Sequence, residues 1–296
     1  MPHSIKKAVI PVAGWGTRGL PFTKEVPKEM IPILDIPAIH FVVEEAIHSG
    51  LEQIIFVTAR GKSALEDYFD DSPYLIEILR KKGKHEQADF LQKIGKMCEI
   101  ISVRQKEPKG LGHAILAAKN VVGNEPFGVC LADEIFPSWD PRNKSLPPLK
   151  QLTEISKSTG LSSIGVMEID PKDSSSYGMI RMETPKFRGI YEKVLGTVEK
   201  PTPEKSPSNY AVVGRYVFQP EIMAALSEVK PGFGGEIQLT DAMDSLCSNK
   251  GLLAVDLKNE RYDVGNLFQF LKAQIDFALK KPELSDKLKS YLSDRK

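Results

Sequence analysis

The sequence predicts an α/β protein with a central, mixed but mostly parallel sheet flanked by helices. In the first half, short β-rich runs alternate with helical patterns, which is typical of a mostly parallel sheet covered on both faces. In the second half, β-rich segments are separated by Pro- and Ser-rich turns, and the chain returns to helices after Pro220. The 296 residues contain no repeat or long linker, so we expect one elaborated domain, 1–296.

The first-half strands are short apolar runs that we expect to be buried. They cover residues 6–12, 53–58, 99–104 and 127–131. The first helix follows from apolar residues at helical spacing and a Gly stop signal, namely Ile39, Val42, Val43, Ala46, Ile47 and Gly50. A second helical pattern begins at Leu65, and residues 74–96 form a charged helical stretch.

The second half predicts antiparallel strands added to the same sheet. The segments are 162–169, 177–182, 191–200 and 209–218. The last helix carries an apolar stripe formed by Leu284, Leu288, Tyr291 and Leu292. Such a stripe packs on its own core or on a partner subunit, and both options stay open.

Composition and charge exclude several classes of protein. A formal net charge of +1 gives no global field for nucleic acid, and no run of about 18 apolar residues predicts a membrane span. The first thirty residues show no secretion signal. Cys98, Cys130 and Cys247 lie far apart without metal-ligand spacing, so we expect reduced thiols and a cytoplasmic protein. A catalytic Cys130 is disfavoured because it lies in an apolar run, where burial raises a thiol pKa.

A glycine loop follows the first strand and spells G-x-G-x-x-G over residues 14–19. A dinucleotide-binding fold would place its third Gly in a helix, but Pro21 and Pro27 follow at once, so we expect an extended loop. A Walker loop fails as well, because Gly61-Lys62-Ser63 lacks the Gly required at position 56. The loop is either a surface turn with solvated cations or a triphosphate site built from amides and cations, with Arg18, Lys24 and Lys28 as the candidates.

The loop resembles the signature of the sugar-nucleotide pyrophosphorylases, and its Pro27-Lys28-Glu29-Met30 ending is most similar to the bacterial members that use UTP and glucose 1-phosphate. Further matches follow in family order along nearly the whole chain. They are Val103–Gln105, Lys109–Ala114, Leu131–Asp133, Tyr177-Gly178, Val198–Pro201, Val213–Tyr216, Gly235–Asp241 and Asp263-x-Gly265-Asn266. Trp15, Gly19, Ala132 and Glu134 depart from the usual pattern.

The resemblance implies a Rossmann-like nucleotidyltransferase fold and roles for some of the matched residues. It divides the chain into a nucleotide-binding part (1–135), a sugar-phosphate-binding part with a β-rich insertion (136–266) and C-terminal helices (267–296). Nucleotide-binding candidates are Ala13, Gly14, Gly16, Thr17, Arg18, Lys28, Gln105 and Gly110. Sugar-phosphate-binding candidates are Gly178, Glu199 and Lys200, the catalytic set is Arg18, Lys28 and Lys200, and the Mg²⁺ ligands are Asp133 and Asp263. His113 is expected to cap or pack.

The implied reaction is in-line attack of glucose 1-phosphate on UTP, which yields UDP-glucose and pyrophosphate. The nucleophile is already an anion, so charge neutralisation and positioning must supply the catalysis. The nearest alternatives make dTDP-glucose or UDP-N-acetylglucosamine. More distant ones are an NAD-binding oxidoreductase, which rests on the literal glycine motif, and a non-catalytic sugar-nucleotide sensor. We expect a homodimer or homotetramer, with no nucleic acid or membrane as partner.

Overall fold

Nine strands form one mixed sheet in the computed structural model, which describes residues 4–137 and 146–295. Within these ranges the strands are β1 (Lys7–Pro11), β2 (Pro32–Ile33), β3 (Ile36–Pro37), β4 (Gln53–Thr58), β5 (Glu99–Arg104), β6 (Phe127–Cys130), β7 (Glu134–Ile135), β8 (Ser162–Glu168), β9 (Gly178–Met182), β10 (Tyr191–Glu199), β11 (Tyr210–Phe218), β12 (Leu252–Asp256) and β13 (Tyr262–Asp263). The helices are α1 (Ala38–His48), α2 (Ala64–Phe69), α3 (Pro73–Lys81), α4 (His85–Gly95), α5 (Leu111–Ala117), α6 (Lys119–Val122), α7 (Pro148–Thr159), α8 (Glu221–Glu228), α9 (Leu239–Asn249), α10 (Leu267–Lys280) and α11 (Pro282–Ser293).

The strand order confirms the predicted mixed sheet. It reads β5-β4-β1-β6-β11-β8-β12-β10-β9. Strands β5, β4, β1 and β6 are parallel, as the alternation of strands and helices predicts. Strand β11 then runs antiparallel to β6 and to β8, and β10 runs antiparallel to β12 and to β9. At the far end Met179 of β9 also pairs with Ala211 of β11, so the last five strands curl back on themselves.

Apolar residues bury both faces of the sheet. On β1, Ala8 and Ile10 face the helix layer that contains α1, whereas Val9 between them faces the opposite layer, which contains α5. This alternation follows from the two-residue period of a strand. Because both faces are covered, the strand runs are apolar almost throughout, and polar side chains concentrate beyond the strand ends.

Three details differ from the sequence expectation. The run 99–104 forms β5, but as the edge strand of the sheet it contains no buried residue, whereas a buried strand was expected. The charged stretch 74–96 is not one helix: it breaks between α3 and α4, where Gly83 adopts a φ of +72°. After Pro220 the chain does not contain helices alone, because β12 inserts between β8 and β10. Strand β12 spans only five residues, and it is placed in the sheet by its long-range pairing with β8.

The C-terminal helices leave apolar side chains in solvent. Leu284, Tyr291 and Leu292 of the predicted stripe are exposed, and α11 has no buried residue among those described. On α10, Leu267 and Phe268 are exposed as well. The stripe therefore does not pack on the core of this chain. No helix in the described ranges has both the length and the apolarity needed to span a bilayer.

The three cysteines are free thiols, as expected. Cys130 is fully buried in β6, and burial raises the pKa of its thiol to about 12. Burial also raises the pKa of Cys98 to about 12 and that of Cys247 to about 11. None of them forms a thiolate near neutral pH, so the geometry provides no cysteine nucleophile.

Candidate active site

A cavity of about 790 Å³ opens beyond the carboxyl ends of β1 and β6, between the glycine loop and the start of α10. Ligands of open α/β sheets bind in this position. The predicted site residues that line the cavity are Gly14, Gly16, Thr17, Arg18, Lys28 and Asp133. The exposed Lys24, which pairs with Glu25 at 3.9 Å, and the exposed Trp15 do not line it.

The glycine loop is irregular, as its prolines predict. It contains three short 3₁₀ turns (Thr17–Gly19, Phe22–Lys24 and Lys28–Met30) and no α-helix that could serve a dinucleotide. Gly16 has a φ of +66°, and a Cβ there would lie 3.1 Å from the Cβ of Lys28. Thr23 Oγ1 donates a 2.7 Å hydrogen bond to the Gly16 carbonyl. The turn at Gly16 thus packs directly against Lys28.

Lys28 forms an ion pair with Asp133 across the cavity, with 2.6 Å between Nζ and Oδ2. Burial alone would lower the pKa of Lys28, but the charge of Asp133, aided by Glu29, leaves it raised. Burial would likewise raise the pKa of Asp133, and the neighbouring Lys28 leaves it lowered. Both groups are therefore charged at neutral pH.

Asp263 is brought beside Asp133 by the two-stranded ladder of β7 and β13. Asp263 pairs with Glu134 in this ladder, and the Val264 amide donates to the Asp133 carbonyl at 2.8 Å. Burial and then the charge of Asp133 raise the pKa of Asp263. A Cβ on Gly265 would lie 3.0 Å from Asp263 Oδ1 and 3.5 Å from Asp133 Oδ2, so both carboxylates converge on this glycine.

This pair of carboxylates suits a hard divalent cation. Mg²⁺ is often bound through one or two carboxylates, with substrate phosphates and water completing its shell. No cluster of three or more His, Cys, Asp or Glu side chains with metal-binding geometry occurs among the described residues. Asp133 and Asp263 therefore fit a metal that arrives with a phosphate ligand better than a closed, all-protein site.

Next to Asp133, Glu134 forms a buried ion pair that the sequence analysis missed. Arg261 contacts both carboxylate oxygens of Glu134 at 2.6 Å, and its guanidinium lies 5.0 Å from the centre of the Tyr177 ring. Burial raises the pKa of Glu134 to about 7, against the opposing effect of Arg261. The only signal in the sequence was a second acidic residue directly after Asp133.

A second buried ion pair, between Lys62 and Glu29, lies next to Lys28 of the glycine loop. Lys62 donates to Glu29 at 3.0 Å, and Glu29 is 1% exposed. Burial raises the pKa of Glu29 although Lys62 and Lys28 oppose it. The Gly61-Lys62-Ser63 segment therefore contacts the residue that follows Lys28, which no local pattern indicated.

The predicted sugar-phosphate residues meet at the β9–β10 pair. Glu199 pairs with Gly178 in register, and the Lys200 amide donates to the Tyr177 carbonyl at 3.0 Å. Thr240, which the sequence analysis did not select, donates to Glu199 Oε2 at 3.2 Å. A Cβ on Gly178 would lie 2.9 Å from Thr240 Cγ2. These residues form a second group that does not line the main cavity.

Lys200 has an unusual backbone for a side chain of its size. Its φ is +45°, a conformation that is uncommon outside glycine. Its ammonium lies 3.2 Å from Glu199 Oε1, and its side chain is 39% exposed. Glu199 and Lys200 thus form an ion pair, and the Lys200 ammonium remains accessible to a ligand.

Gln105 lies at the carboxyl end of β5 and is already engaged by the protein. Its Nε2 donates to the Gly110 carbonyl at 3.3 Å and lies 2.9 Å from His113 Nδ1. Gly110, with a φ of +93°, precedes α5, and neither it nor Gln105 nor Ala13 lines the main cavity. His113 thus orients Gln105, in line with its expected packing role.

Comparisons with known proteins agree along the whole chain. The sequence model of the nucleotidyl transferase family matches residues 7–279. A UTP–glucose-1-phosphate uridylyltransferase of Staphylococcus epidermidis is 46% identical over 288 residues, covering 97% of each chain. The enzyme of that name from Streptococcus pneumoniae is 45% identical over 292 residues, covering 99% of this chain and 96% of the relative.

Solved structures give the same result. A UDP-glucose pyrophosphorylase complexed with UDP-glucose superposes with a TM-score of 0.83 at 40% identity, covering 94% of this chain and all of that one. A UTP-bound enzyme from Acinetobacter baumannii gives a TM-score of 0.87 at 37% identity, covering 99% of this chain and all of that one. The predicted Rossmann-like nucleotidyltransferase fold is confirmed, and the chain belongs to the nucleotidyl transferase family.

Proposed function

We propose that this chain transfers the uridylyl group of UTP to glucose 1-phosphate in a Mg²⁺-dependent reaction that yields UDP-glucose and pyrophosphate. The observation that carries the proposal is the meeting of two cations, Arg18 and Lys28, with the Asp133 carboxylate in the wall of one cavity. The Asp263 carboxylate lies beside them, next to Gly265, which also lines the cavity. Relatives that carry this activity in their names match nearly the whole chain.

The glycine loop holds the triphosphate. Gly14 and Gly16 leave backbone amides accessible, and nothing lies within 4 Å of the position that a Cβ on Gly14 would occupy. Arg18 and Lys28 supply positive charge on the same cavity wall. Backbone amides and cations together bind phosphate oxygens strongly, because the hydrogen bonds are charge-assisted.

Asp133 and Asp263 hold Mg²⁺ together with the phosphates of UTP. The family generally uses a divalent metal ion, and two carboxylates beside a phosphate site favour Mg²⁺. When bound, the ion neutralises phosphate charge and polarises the phosphoryl group under attack. Lys28, which pairs with Asp133 Oδ2 in this structure, would be available to the phosphates when Asp133 holds the metal.

The β9–β10 pair holds the sugar phosphate. Lys200 binds the attacking phosphate, while Glu199 and the Gly178 backbone contact sugar hydroxyls. Thr240 fixes one oxygen of Glu199, so the carboxylate keeps a defined orientation. Gln105 reads the edge of the uracil through its free carbonyl oxygen, with the backbones of Ala13, Gly14 and Gly110 around the base.

The chemical step needs no proton transfer. An oxygen of the sugar phosphate forms a bond to the α-phosphorus of UTP, and the bond from that phosphorus to the bridging oxygen of the β-phosphate breaks. Pyrophosphate carries the electron pair away. The residues therefore act by neutralising charge between two polyanions and by aligning them, which suits a site rich in Arg, Lys and amides.

Pyrophosphate release tests the proposal. The protein is given UTP, Mg²⁺ and glucose 1-phosphate, with dTTP and N-acetylglucosamine 1-phosphate as matched alternatives. We expect the highest kcat/KM for UTP with glucose 1-phosphate, no turnover with EDTA, and UTP formation from UDP-glucose and pyrophosphate in reverse. A higher kcat/KM for dTTP would overturn the uridylyl assignment, and binding without turnover would indicate a sensor.

We propose a homodimer or homotetramer in the cytoplasm. The exposed apolar side chains of the C-terminal helices support assembly, with Leu267 84% and Phe268 71% exposed. The three free thiols support a reducing compartment. Sedimentation velocity at micromolar concentration tests the assembly, and a single monomeric species would contradict it.

A further inference from the structure

Arg215 is fully buried in β11, in the middle of an apolar strand. Its guanidinium donates to five oxygens. Nε and Nη2 bond to the carboxylate of Glu45 at 2.9–3.1 Å, and Nη1 donates to the Gly214 carbonyl at 3.0 Å. The remaining bonds go to the carbonyls of Leu131 at 3.1 Å and Glu134 at 2.7 Å.

The last two carbonyls are the two ends of the loop that carries Asp133. Residues 131–134 connect β6 to β7, and Asp133 lies inside this four-residue span. The loop also rests on the Gly214 backbone, because the Leu131 amide donates to the Gly214 carbonyl at 2.9 Å. Gly214 has a φ of +67°, and a Cβ there would lie 2.8 Å from Glu134 Cγ. The loop therefore has little freedom to shift above Arg215.

Glu45 holds the guanidinium in its orientation from the other side. It is 1% exposed on α1, and its Oε1 also accepts a bond from the Leu149 amide at 3.1 Å. A buried ion pair of this kind rarely adds stability over apolar residues of similar volume. A planar guanidinium, in contrast, presents several donors in a fixed fork, which neither lysine nor an apolar side chain reproduces.

We infer that Arg215 is a positioning residue, which fixes the Asp133 carboxylate by clamping the backbone carbonyls of Leu131 and Glu134 while Glu45 orients its guanidinium. Arg215 does not line the cavity and acts only through this loop. The inference rests on the proposed function, since Asp133 is there a ligand of Mg²⁺. Groups that orient metal ligands typically change metal affinity or activity by about 10–100-fold when removed.

The test replaces the pair without leaving a buried charge. In the double variant Arg215→Met/Glu45→Gln, the glutamine retains an acceptor for the Leu149 amide, and both carbonyls lose their donor. Phe218→Leu is the matched control: Phe218 is fully buried on the same strand but pairs with Phe127, at the end of β6 remote from the loop. Single Arg215→Met serves as the comparison that leaves the buried Glu45 carboxyl without its guanidinium partner.

Four measurements separate positioning from a purely structural role. We expect the double variant to unfold at nearly the control's temperature, to lose about 10–100-fold in kcat with little change in KM for glucose 1-phosphate, and to bind Mn²⁺ about 10–100-fold more weakly in its UTP complex by electron paramagnetic resonance. Hydrogen exchange of the amides in 131–134 should speed up in the double variant and not in Phe218→Leu.

The opposite result would overturn the clamp. If the double variant keeps normal kcat, Mn²⁺ affinity and loop protection, Arg215 serves the fold alone. The hydrogen-exchange readout needs no substrate, so it judges the clamp even if the unsubstituted protein fails to make UDP-glucose. If the unsubstituted protein releases no pyrophosphate although its amides in 131–134 are protected from hydrogen exchange, the proposed function is overturned instead.

Discussion

Lys28 Nζ lies 2.6 Å from Asp133 Oδ2, so the cation assigned to the phosphates and the carboxylate assigned to the metal neutralise each other in this structure. The two residues are 105 positions apart, on the glycine loop and after β6. Burial opposes the charge of both groups, and their proximity compensates for it. Each residue thus keeps the other ionised.

The two metal carboxylates should be essential for turnover and dispensable for folding. Asp133→Asn and Asp263→Asn keep the shape of the side chain and remove the anion that we propose as a ligand of Mg²⁺. In Asp263→Asn the side-chain amide oxygen can still accept from the Gly265 amide, as Asp263 Oδ1 does at 2.9 Å. We expect kcat to fall much more than the thermal unfolding temperature, with the exposed Asp286→Asn on α11 as a neutral control. Normal turnover by either variant at saturating Mg²⁺ would exclude that residue as a ligand.

Loss of the Asp133 charge should also lower the pKa of Lys28. Without the carboxylate, burial dominates and the pKa of Lys28 falls. At a fixed pH of about 8 the side chain then reacts faster with an amine reagent such as an N-hydroxysuccinimide ester, because more of it is neutral. Peptide mapping measures the rate for Lys28 against Lys205, an exposed internal standard. Equal reactivity of Lys28 in Asp133→Asn and the unsubstituted protein would show that the ion pair does not set its protonation.

Replacing Gln105 should raise the KM for UTP more than the KM for glucose 1-phosphate. Its Nε2 already bonds to Gly110 and lies beside His113, so its carbonyl oxygen remains to accept one neutral hydrogen bond from uracil. Such a bond contributes about 0.5–1.5 kcal/mol, so Gln105→Ala should raise the KM for UTP about 2- to 13-fold. Initial rates at varied UTP and varied glucose 1-phosphate measure the two KM values. Equal effects on both would assign Gln105 a structural role.

Local patterns predicted the elements and the glycine loop well. The apolar runs of β1, β4, β5 and β6 and the two prolines after Gly19 act over a few residues, and their structural outcome follows from strand periodicity and from the fixed φ of proline. Strand β12 was missed although its four apolar residues follow Gly251 as a short run, and its pairing with β8 is what places it in the sheet.

The buried charge pairs could not be predicted in this way. Glu45 and Arg215 are 170 positions apart, and Glu134 and Arg261 are 127 apart. A charged side chain in an apolar run shows that a partner must exist, because an unpaired buried charge is costly, but it does not show which one. The motifs gave six residues that line the cavity, and the fold was needed to find the residues that hold them in place.

Acid should destabilise the protein through His40, which lies on α1 with 4% of its surface exposed. Burial, then the charge of Lys93, lower its pKa from 6.5 to about 4, and Tyr68 Oη lies 3.1 Å from its Nδ1. Between pH 6.5 and pH 4 the His40 imidazole is protonated in the unfolded chain and neutral in the folded chain. The free energy of unfolding therefore falls as the pH decreases from about 6.5 to about 4. His40→Asn keeps an acceptor for Tyr68 but has no imidazole to protonate. Over this pH range its free energy of unfolding should therefore fall by less than that of the unsubstituted protein, the difference being at most about 3 kcal/mol. Urea unfolding at several pH values measures both slopes, and identical slopes would contradict the assignment.

Substitution of Lys200 distinguishes a functional Glu199–Lys200 pair from one that is only solvated. If the pair is only solvated, Lys200→Ala changes stability by no more than about 0.5 kcal/mol and leaves activity intact. If the ammonium holds the attacking phosphate, its loss leaves two anions facing each other with one cation fewer. Loss of a preorganised electrostatic donor typically costs about 10²–10³ in turnover.

We therefore expect Lys200→Ala to lose about 10²–10³ in kcat/KM for glucose 1-phosphate, with the affinity for UTP alone nearly unchanged. Lys200→Arg should restore little, because a planar fork does not replace a compact ammonium on a backbone held at a φ of +45°. Steady-state kinetics and calorimetric titration of UTP provide the two readouts, and the exposed Lys205→Ala is the matched control. A Lys200→Ala enzyme with near-normal kcat/KM would remove Lys200 from the mechanism, because an ammonium that holds the attacking phosphate cannot be lost without a cost in turnover.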